Sequence, residues 1–353
     1  MKNKVTILLG AGFAKYLKGL GTSDINHLYA NYSGWRVGDE TLYVYINKLL
    51  EKDYYDFNFE TFLAVIENIF AFRLSQFRDG KTSTSWKDIS SVLFDMKPAL
   101  VQCDCFKNQE TTFEVFRSYI NLLNDSVGLY DDTSKCKDEI KLFKKYIAYL
   151  AGKYRKIKIY STNYDWIVPK ALGLHGSSVG VDEDMPQKAF TYDLREFRMT
   201  KLTYFPLHGC SYIYKEAFDR VHLSSTIQSM PFFAQSNHGG NPNKETLFTP
   251  IISGYSKLEH INGKPFNFGL QCFANDCYDS NLFIAMGYSF SDPHLNSTID
   301  TFCRCNMESV TLNDIPKFPP TLGLKVHTNT CGIEDYLMKE IIQYKDVGRK
   351  RQG

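Results

Sequence analysis

Val5-Thr6-Ile7-Leu8-Leu9 runs directly into Gly10-Ala11-Gly12-Phe13-Ala14, and this passage decides the fold class. A short β-prone run that ends in a glycine pair reads as a strand followed by a tight turn into a helix. In an open sheet, such a turn lets backbone N–H groups approach a phosphate at a helix N-terminus. Met1-Lys2-Asn3-Lys4 supplies a charged start, but the apolar run behind it is too short for a signal peptide.

Outward from this strand the pattern changes twice. From about Tyr43 to Gly152 apolar residues recur at helical spacing, as in Phe59, Phe62, Leu63, Ile66, Ile69 and Phe70, and again in Ile140, Phe143, Ile147 and Leu150. Turn-rich stretches at Asp79-Gly80 to Ser85 and Asp131 to Ser134 separate them. After Gly152 short β runs alternate with helices. Ile157-Lys158-Ile159-Tyr160 alternates apolar and polar residues, and Leu202 to Leu207 runs up to His208-Gly209. A loop with Gly239-Gly240 and Asn241-Pro242 follows, then the run Leu247 to Ile252, a helix from about Asn267 to Tyr278 and the strand Leu282 to Met286. Asp292-Pro293 marks a helix start, with Asp at the N-cap and Pro at the first helical position. A strand near Leu322 to Val326 and a helix near Ile333 to Ile342 complete the series.

Strands alternating with helices predict an α/β fold, a Rossmann-like doubly wound parallel sheet with a helical insertion. The predicted division is a nucleotide-binding domain over 1–40 and 151–345, the insertion over 41–150 and a basic tail over 346–353. Arg349-Lys350-Arg351 in that tail reads as a solvated terminus.

Composition excludes several classes. The chain has 353 residues, enough for one large domain with an insertion or for two domains. Its net charge of +2 gives no field that would draw it to nucleic acid. No stretch of about 18 apolar residues predicts a membrane span. Nine cysteines without regular spacing suit free thiols in a cytoplasm, and Cys103/Cys105, Cys272/Cys277 and Cys303/Cys305 lack the two-residue gap of zinc ribbons. No metal site is expected. Aromatic residues make up 15% of the chain and suit a partner surface as well as a core.

Four strand ends carry glycine with short polar residues, where open α/β sheets bind ligands. The first is Gly10-Ala11-Gly12, which leaves the dehydrogenase fingerprint incomplete because position 15 is Lys15 and no acidic strand end follows about 20 residues on. The second is Ser161-Thr162-Asn163-Tyr164-Asp165, able to hold ribose hydroxyls and an amide, or to cap a helix through Asn163 or Asp165; the two roles are compatible. The third is His208-Gly209, read either as a general base with room for a ligand or as a structural hydrogen-bonder. The other seven histidines have no comparable setting and read as structural. The fourth is Gly287-Tyr288-Ser289-Phe290-Ser291-Asp292. Their joint occurrence predicts one ligand crossing the sheet edge.

In order and approximate spacing these four motifs resemble those of sirtuin-like proteins, and more closely the bacterial sirtuin-like NAD hydrolases of anti-phage defence than the protein deacetylases. The resemblance covers residues 1–30 and 151–345. It implies that NAD is bound as substrate, with Gly10, Ala11, Gly12, Phe13 and Ala14 on the phosphates. Ser161, Thr162 and Asp165 would line the nicotinamide ribose and carboxamide side, and Gly287 and Ser289 the adenosine half. Asn163 would position the ribose or attacking water, and His208 would act as base. The deacetylase branch carries a four-cysteine zinc module after its histidine, whereas no cysteine lies between Cys210 and Cys272. Ala14 stands where many relatives have serine, and Pro169 where many bacterial relatives have an acid. The implied activity is NAD+ glycohydrolysis, with NAD-dependent deacylation, ADP-ribosyl transfer or non-enzymatic NAD or ADP-ribose sensing as alternatives. An activity that depletes NAD also implies a resting state, and with it a homo-oligomer or a separately encoded sensor or ATPase partner.

Overall fold

Lys2–Leu9 forms β1, whose residues from Val5 to Leu9 are all buried. A strand with no solvent-facing side belongs in the middle of a parallel sheet covered on both faces. The computed structural model describes residues 2–50, 57–76, 100, 103–130, 133–181, 190, 194–215, 221–223, 232–236, 244–248, 251–252, 265–310, 326–329 and 331–350. The expected turn at Asp79 to Ser85, residues 131–132, the Gly239 to Pro242 loop, residues 322–325 and the last three residues of the tail lie outside these.

Five further strands join β1 in the main sheet. They are β2 (Tyr154–Ser161), β3 (Leu202–Pro206), β4 (Leu282–Met286), β5 (Asn306–Val310) and β6 (Val326–Asn329). All five pairings are parallel, and the order across the sheet is β3-β2-β1-β4-β5-β6. This is the strand order of doubly wound dinucleotide folds, and the reversal point falls between β1 and β4. Ile7 pairs there with Ile284 on one side and Ile159 on the other.

The helices, in chain order, are α1 (Ala11–Tyr16), α2 (Thr22–Asn31), α3 (Leu42–Leu50), α4 (Phe59–Gln76), α5 (Gln109–Tyr130) and α6 (Lys137–Lys153). There follow α7 (Ile167–Leu172), α8 (Leu194–Met199), α9 (Phe266–Asp279), α10 (Pro293–Phe302) and α11 (Ile333–Lys350). α9 covers one face of the sheet. Phe273 packs on Phe283 at 6.1 Å between centroids, and Asp276 accepts from Lys4 and from the Tyr160 hydroxyl, both at 2.6 Å. On the other face Glu308 of β5 accepts from Tyr336 of α11, whose hydroxyl lies 3.3 Å from that of Tyr146 on α6. α11 runs eight residues beyond the expected end at Ile342, into the segment read as a basic tail.

In the alternating run Ile157-Lys158-Ile159-Tyr160 the lysine is fully buried. Its ammonium donates to the carbonyls of Phe197 and Thr200, each at 2.9 Å, and so satisfies the unpaired C-terminal carbonyls of α8. Among the described residues, aromatics of the helical segment build a core. Tyr29, Phe62 and Tyr119 are fully buried, with Phe62 and Tyr119 at 4.5 Å and Tyr29 and Tyr119 at 5.0 Å between centroids.

This second core takes in α2 through α5, from Ile25 to Val127, together with Tyr164 and Ile251. α6 packs instead with the sheet. By packing, the helical layer therefore begins before residue 41 and ends before residue 137. Tyr164 joins the layers: it sits just past β2, and its hydroxyl donates to Glu60 of α4 at 3.0 Å.

Candidate functional site

The glycines after β1 and β4 interlock. Gly10 N–H donates to Met286 O at 3.0 Å, and Gly12 N–H to Gly287 O at 2.9 Å. A Cβ on Gly12 would stand 2.8 Å from Gly287 Cα, and one on Gly287 would stand 2.2 Å from the Phe13 nitrogen. Gly287 also has φ +62°, in the left-handed region that favours glycine. The glycines thus let two strand-end loops touch at the reversal point. Phe13 and Ala14 N–H groups both donate to Gly10 O, and both side chains are buried. Of the five loop residues, Ala11 is the one that lines the adjoining cleft.

That cleft encloses about 850 Å³ including its open mouth, at the carboxyl ends of the strands. Thr162, Asn163, Asp165, His208 and Ser289 line it, joining Ala11 among the residues expected from sequence. Gly10, Gly12, Phe13, Ala14, Ser161 and Gly287 support it from behind. Ser161 is buried, and its hydroxyl accepts from Asn163 N–H at 3.0 Å. Asn163 Nδ2 donates to Gly10 O at 3.0 Å, so the amide is clamped between the β1 and β2 loops. Its Oδ1 is then the end left to accept from a ligand. Asp165 accepts from Ile167 N–H at 3.1 Å while also lining the cleft, but the N-cap of α7 is Trp166, so Asp165 holds the first helical N–H from one position outside the cap.

His208 follows β3 and is 2% exposed. Its backbone is fixed from both sides. Leu207 N–H donates to Ser161 O at 2.8 Å, and His208 O accepts from Ile252 N–H at 2.8 Å. Gly209 at φ +76° turns the chain away from the ring. His208 Nε2 lies 3.4 Å from Nε2 of His294 and 3.9 Å from Oδ1 of Asp292. Two imidazolium cations would repel at that distance, so the nitrogens either share an N–H···N hydrogen bond or face a common cation.

Several wall residues were not legible from the strand-end pattern. Asn58, Phe59 and Glu60 come from the start of α4 and Val127 from α5, so the helical layer closes one side of the cleft. His294, read from sequence as structural, stands at the second position of α10 beside His208. Asp292 is the N-cap of α10 as expected, yet its side chain makes no capping bond. Phe290, two residues before Asp292, holds φ +57°, a strained conformation for a bulky residue. The charge is one-sided. The described lining residues include the carboxylates Glu60, Asp165 and Asp292 and no lysine or arginine. Burial raises the Tyr164 hydroxyl well above its ordinary pKa, and Glu60 and then Asp292 add to it.

Among the described residues no helix is long and apolar enough to cross a membrane. Among the described residues, which include all nine cysteines, there is no disulfide.

No family model matches the sequence, and no curated protein matches it. Among solved structures the chain is similar to one described as a Sir2 homolog–NAD complex, with 9% identity, 97% of this chain and 91% of that one covered, and a TM-score of 0.44. It is similar to another described as the structural basis of sirtuin substrate affinity, with 10% identity, 97% and 94% covered, and a TM-score of 0.45. A third, a mutant Sir2 homologue in complex with ADP ribose, has 10% identity, 98% and 94% covered, and a TM-score of 0.43.

Proposed function

We propose that this protein is an NAD+ glycohydrolase, cleaving the bond between nicotinamide and ribose to give nicotinamide and ADP-ribose. The observation that carries the reading is the joint presence of Asn163 and His208 in one carboxylate-lined cleft beside the reversal point of a doubly wound sheet.

The chemistry asks for few groups. Nicotinamide leaves as a neutral molecule from a cationic pyridinium, so its departure needs no general acid. The sugar passes through an oxocarbenium-like state, as in glycoside hydrolysis, and its positive charge is favoured by nearby carboxylates. Asp165, Asp292 and Glu60 supply that field in a partly desolvated site. His208 takes a proton from water or a ribose hydroxyl, and the clamped Asn163 amide orients the nucleophile through Oδ1. With Gly10 and Gly12 N–H groups already used by the β4 loop, Ala11 remains at the cleft edge for the pyrophosphate side, and Ser289 for the adenosine half.

Unregulated NAD loss would harm the host cell. The reading therefore includes a triggered role, as in anti-phage defence, with activity held back until a homo-oligomer forms or a separately encoded sensor or ATPase engages the chain.

The test is release of nicotinamide from NAD by the purified protein, with and without an acyl-lysine peptide and with candidate partners. Peptide-independent nicotinamide and ADP-ribose are expected; peptide-dependent turnover would replace hydrolysis with deacylation. His208→Ala should lower kcat by about 10²–10⁴ while NAD still binds, the usual loss for a general base. Wild-type turnover in that variant would refute the assignment.

A further inference from the structure

His208, Asp292 and His294 place one ligand atom each within 4.8 Å of one another; His208 and Asp292 line the cleft, and His294 stands beside His208. We infer that this trio is a binding site for a divalent transition-metal ion of the zinc class, held by two imidazole nitrogens and one carboxylate. An ion about 2.0–2.2 Å from each ligand needs tetrahedral ligand–ligand separations of about 3.3–3.5 Å. The two histidine nitrogens, at 3.4 Å, already meet that spacing. Asp292 Oδ1, at 3.9 Å from His208 Nε2, is within a small side-chain rotation of it.

Three independent features support the assignment. The ligands come from fixed elements: His208 from the end of β3, with its backbone bonded on both sides, and Asp292 and His294 from the first turn of α10. Asp292 occupies an N-cap position yet its side chain is not used for capping; it is turned toward the histidines instead. The cleft carries Glu60 and Asp165 besides Asp292 and no lysine or arginine among its described lining, so a dication would meet a negative field. Imidazole ligands select zinc, nickel, cobalt or copper over magnesium and calcium, which take oxygen ligands. Three protein ligands, two of them lining an open cleft, leave a coordination position for water or a small ligand.

The inference stands apart from NAD cleavage, since it is tested by binding alone. Where the glycohydrolase reading also holds, a metal on His208 Nε2 occupies the base's lone pair. The loaded protein would then be the inactive form and chelation would release activity.

The experiment is titration of the chelator-treated full chain with Co²⁺ alone, read by its visible ligand-field absorption, with Mg²⁺ as competitor. His294→Ala and Asp292→Asn are compared with wild type, and far-UV circular dichroism verifies that each folds; Asn retains the N-cap preference at position 292. Wild type should develop four- or five-coordinate cobalt bands that millimolar Mg²⁺ does not displace. Each variant should bind about 100-fold more weakly or worse, since loss of even an outer-shell partner costs about 10–100-fold. Absence of cobalt bands in wild type, or equal affinity in folded variants, would overturn the proposal. Cobalt binding by a chain that, once chelator-treated, cleaves no NAD with or without candidate partners would leave the metal site standing and remove only the glycohydrolase reading.

Discussion

Replacing Gly287 by alanine tests whether the interlocked glycine loops hold the cleft together. Two separable terms contribute. The first is conformational: at φ +62° an alanine pays the left-handed penalty, about 1–2 kcal/mol. The second is steric: the new Cβ would lie 2.2 Å from the Phe13 nitrogen and 2.5 Å from Gly12 C. Overpacking against side chains costs about 1–3 kcal/mol. Here the neighbours are backbone atoms at the ends of paired strands and cannot swing aside, so the upper part of that range applies. The sum is about 3–5 kcal/mol.

Two other glycines isolate the terms. Gly173 has φ +65° with nothing within 4 Å of an added Cβ, so Gly173→Ala carries only the conformational cost. Gly12 is not in the left-handed region and its Cβ would meet Gly287 Cα at 2.8 Å, so Gly12→Ala carries only the steric one. Urea unfolding of the three variants should rank the losses as Gly287, then Gly12, then Gly173, with unchanged m-values. NAD affinity should fall for Gly287→Ala and Gly12→Ala and hold for Gly173→Ala. If Gly287→Ala were no more than about 0.5 kcal/mol below Gly173→Ala, the range of an ordinary surface change, the interlock would carry no weight and the argument would fail.

Two further outcomes follow from buried charge. Burial lowers the Lys158 ammonium to about 8, with Lys4 and Lys156 adding and Asp276 opposing. Between about pH 8 and 10 the unfolded chain then binds the extra proton, so this residue's contribution rises with pH through that window and fades as pH falls through 8. Lys158→Met should accordingly gain on wild type at pH 7 and lose that advantage by pH 9.5, in paired denaturant curves; a pH-independent difference would rule this out. Lys4 is the buried partner of Asp276, whose side chain is 1% exposed. Lys4→Met leaves that carboxylate without its cation and should cost about 3–5 kcal/mol, whereas Lys4→Met with Asp276→Leu should recover most of the loss; an additive double variant would contradict the pairing.

The sheet was legible because its evidence is local. A continuous apolar strand, a glycine turn and a polar cluster at a strand end each announce themselves within about ten residues, and parallel strands must all deliver their carboxyl ends to one edge. Asn163, Asp165, His208 and Ser289 could therefore be gathered into one site before any distance was known. The same logic hid other features. Glu60 enters the cleft from a helix about 100 residues before Asn163, brought there by the Tyr164 hydrogen bond across two cores. Nothing in the periodicity of α4 distinguishes it from any other first-turn acid. His294 was set aside because it follows a proline inside a helix start rather than a strand end, although that turn is what aims it at His208. The burial of Lys158 was not legible either, because alternation reports chemistry and not depth; the helix end it satisfies lies about 40 residues away.

The glycine loop shows how a correct motif can carry a different physical meaning. Read alone, Gly10-Ala11-Gly12 offers its N–H groups to a phosphate. With the sheet assembled, the donors of Gly10 and Gly12 belong to the β4 loop, and the absent side chains make room for Gly287 and Tyr288 rather than for a ligand. The distinction has consequences for mutagenesis. A bulky residue at Gly12 acts first on the junction of β1 and β4 and only through it on the cleft, so loss of NAD binding and loss of stability should appear together. A variant at Ala11 or Ser289, which line the cleft, should separate the two.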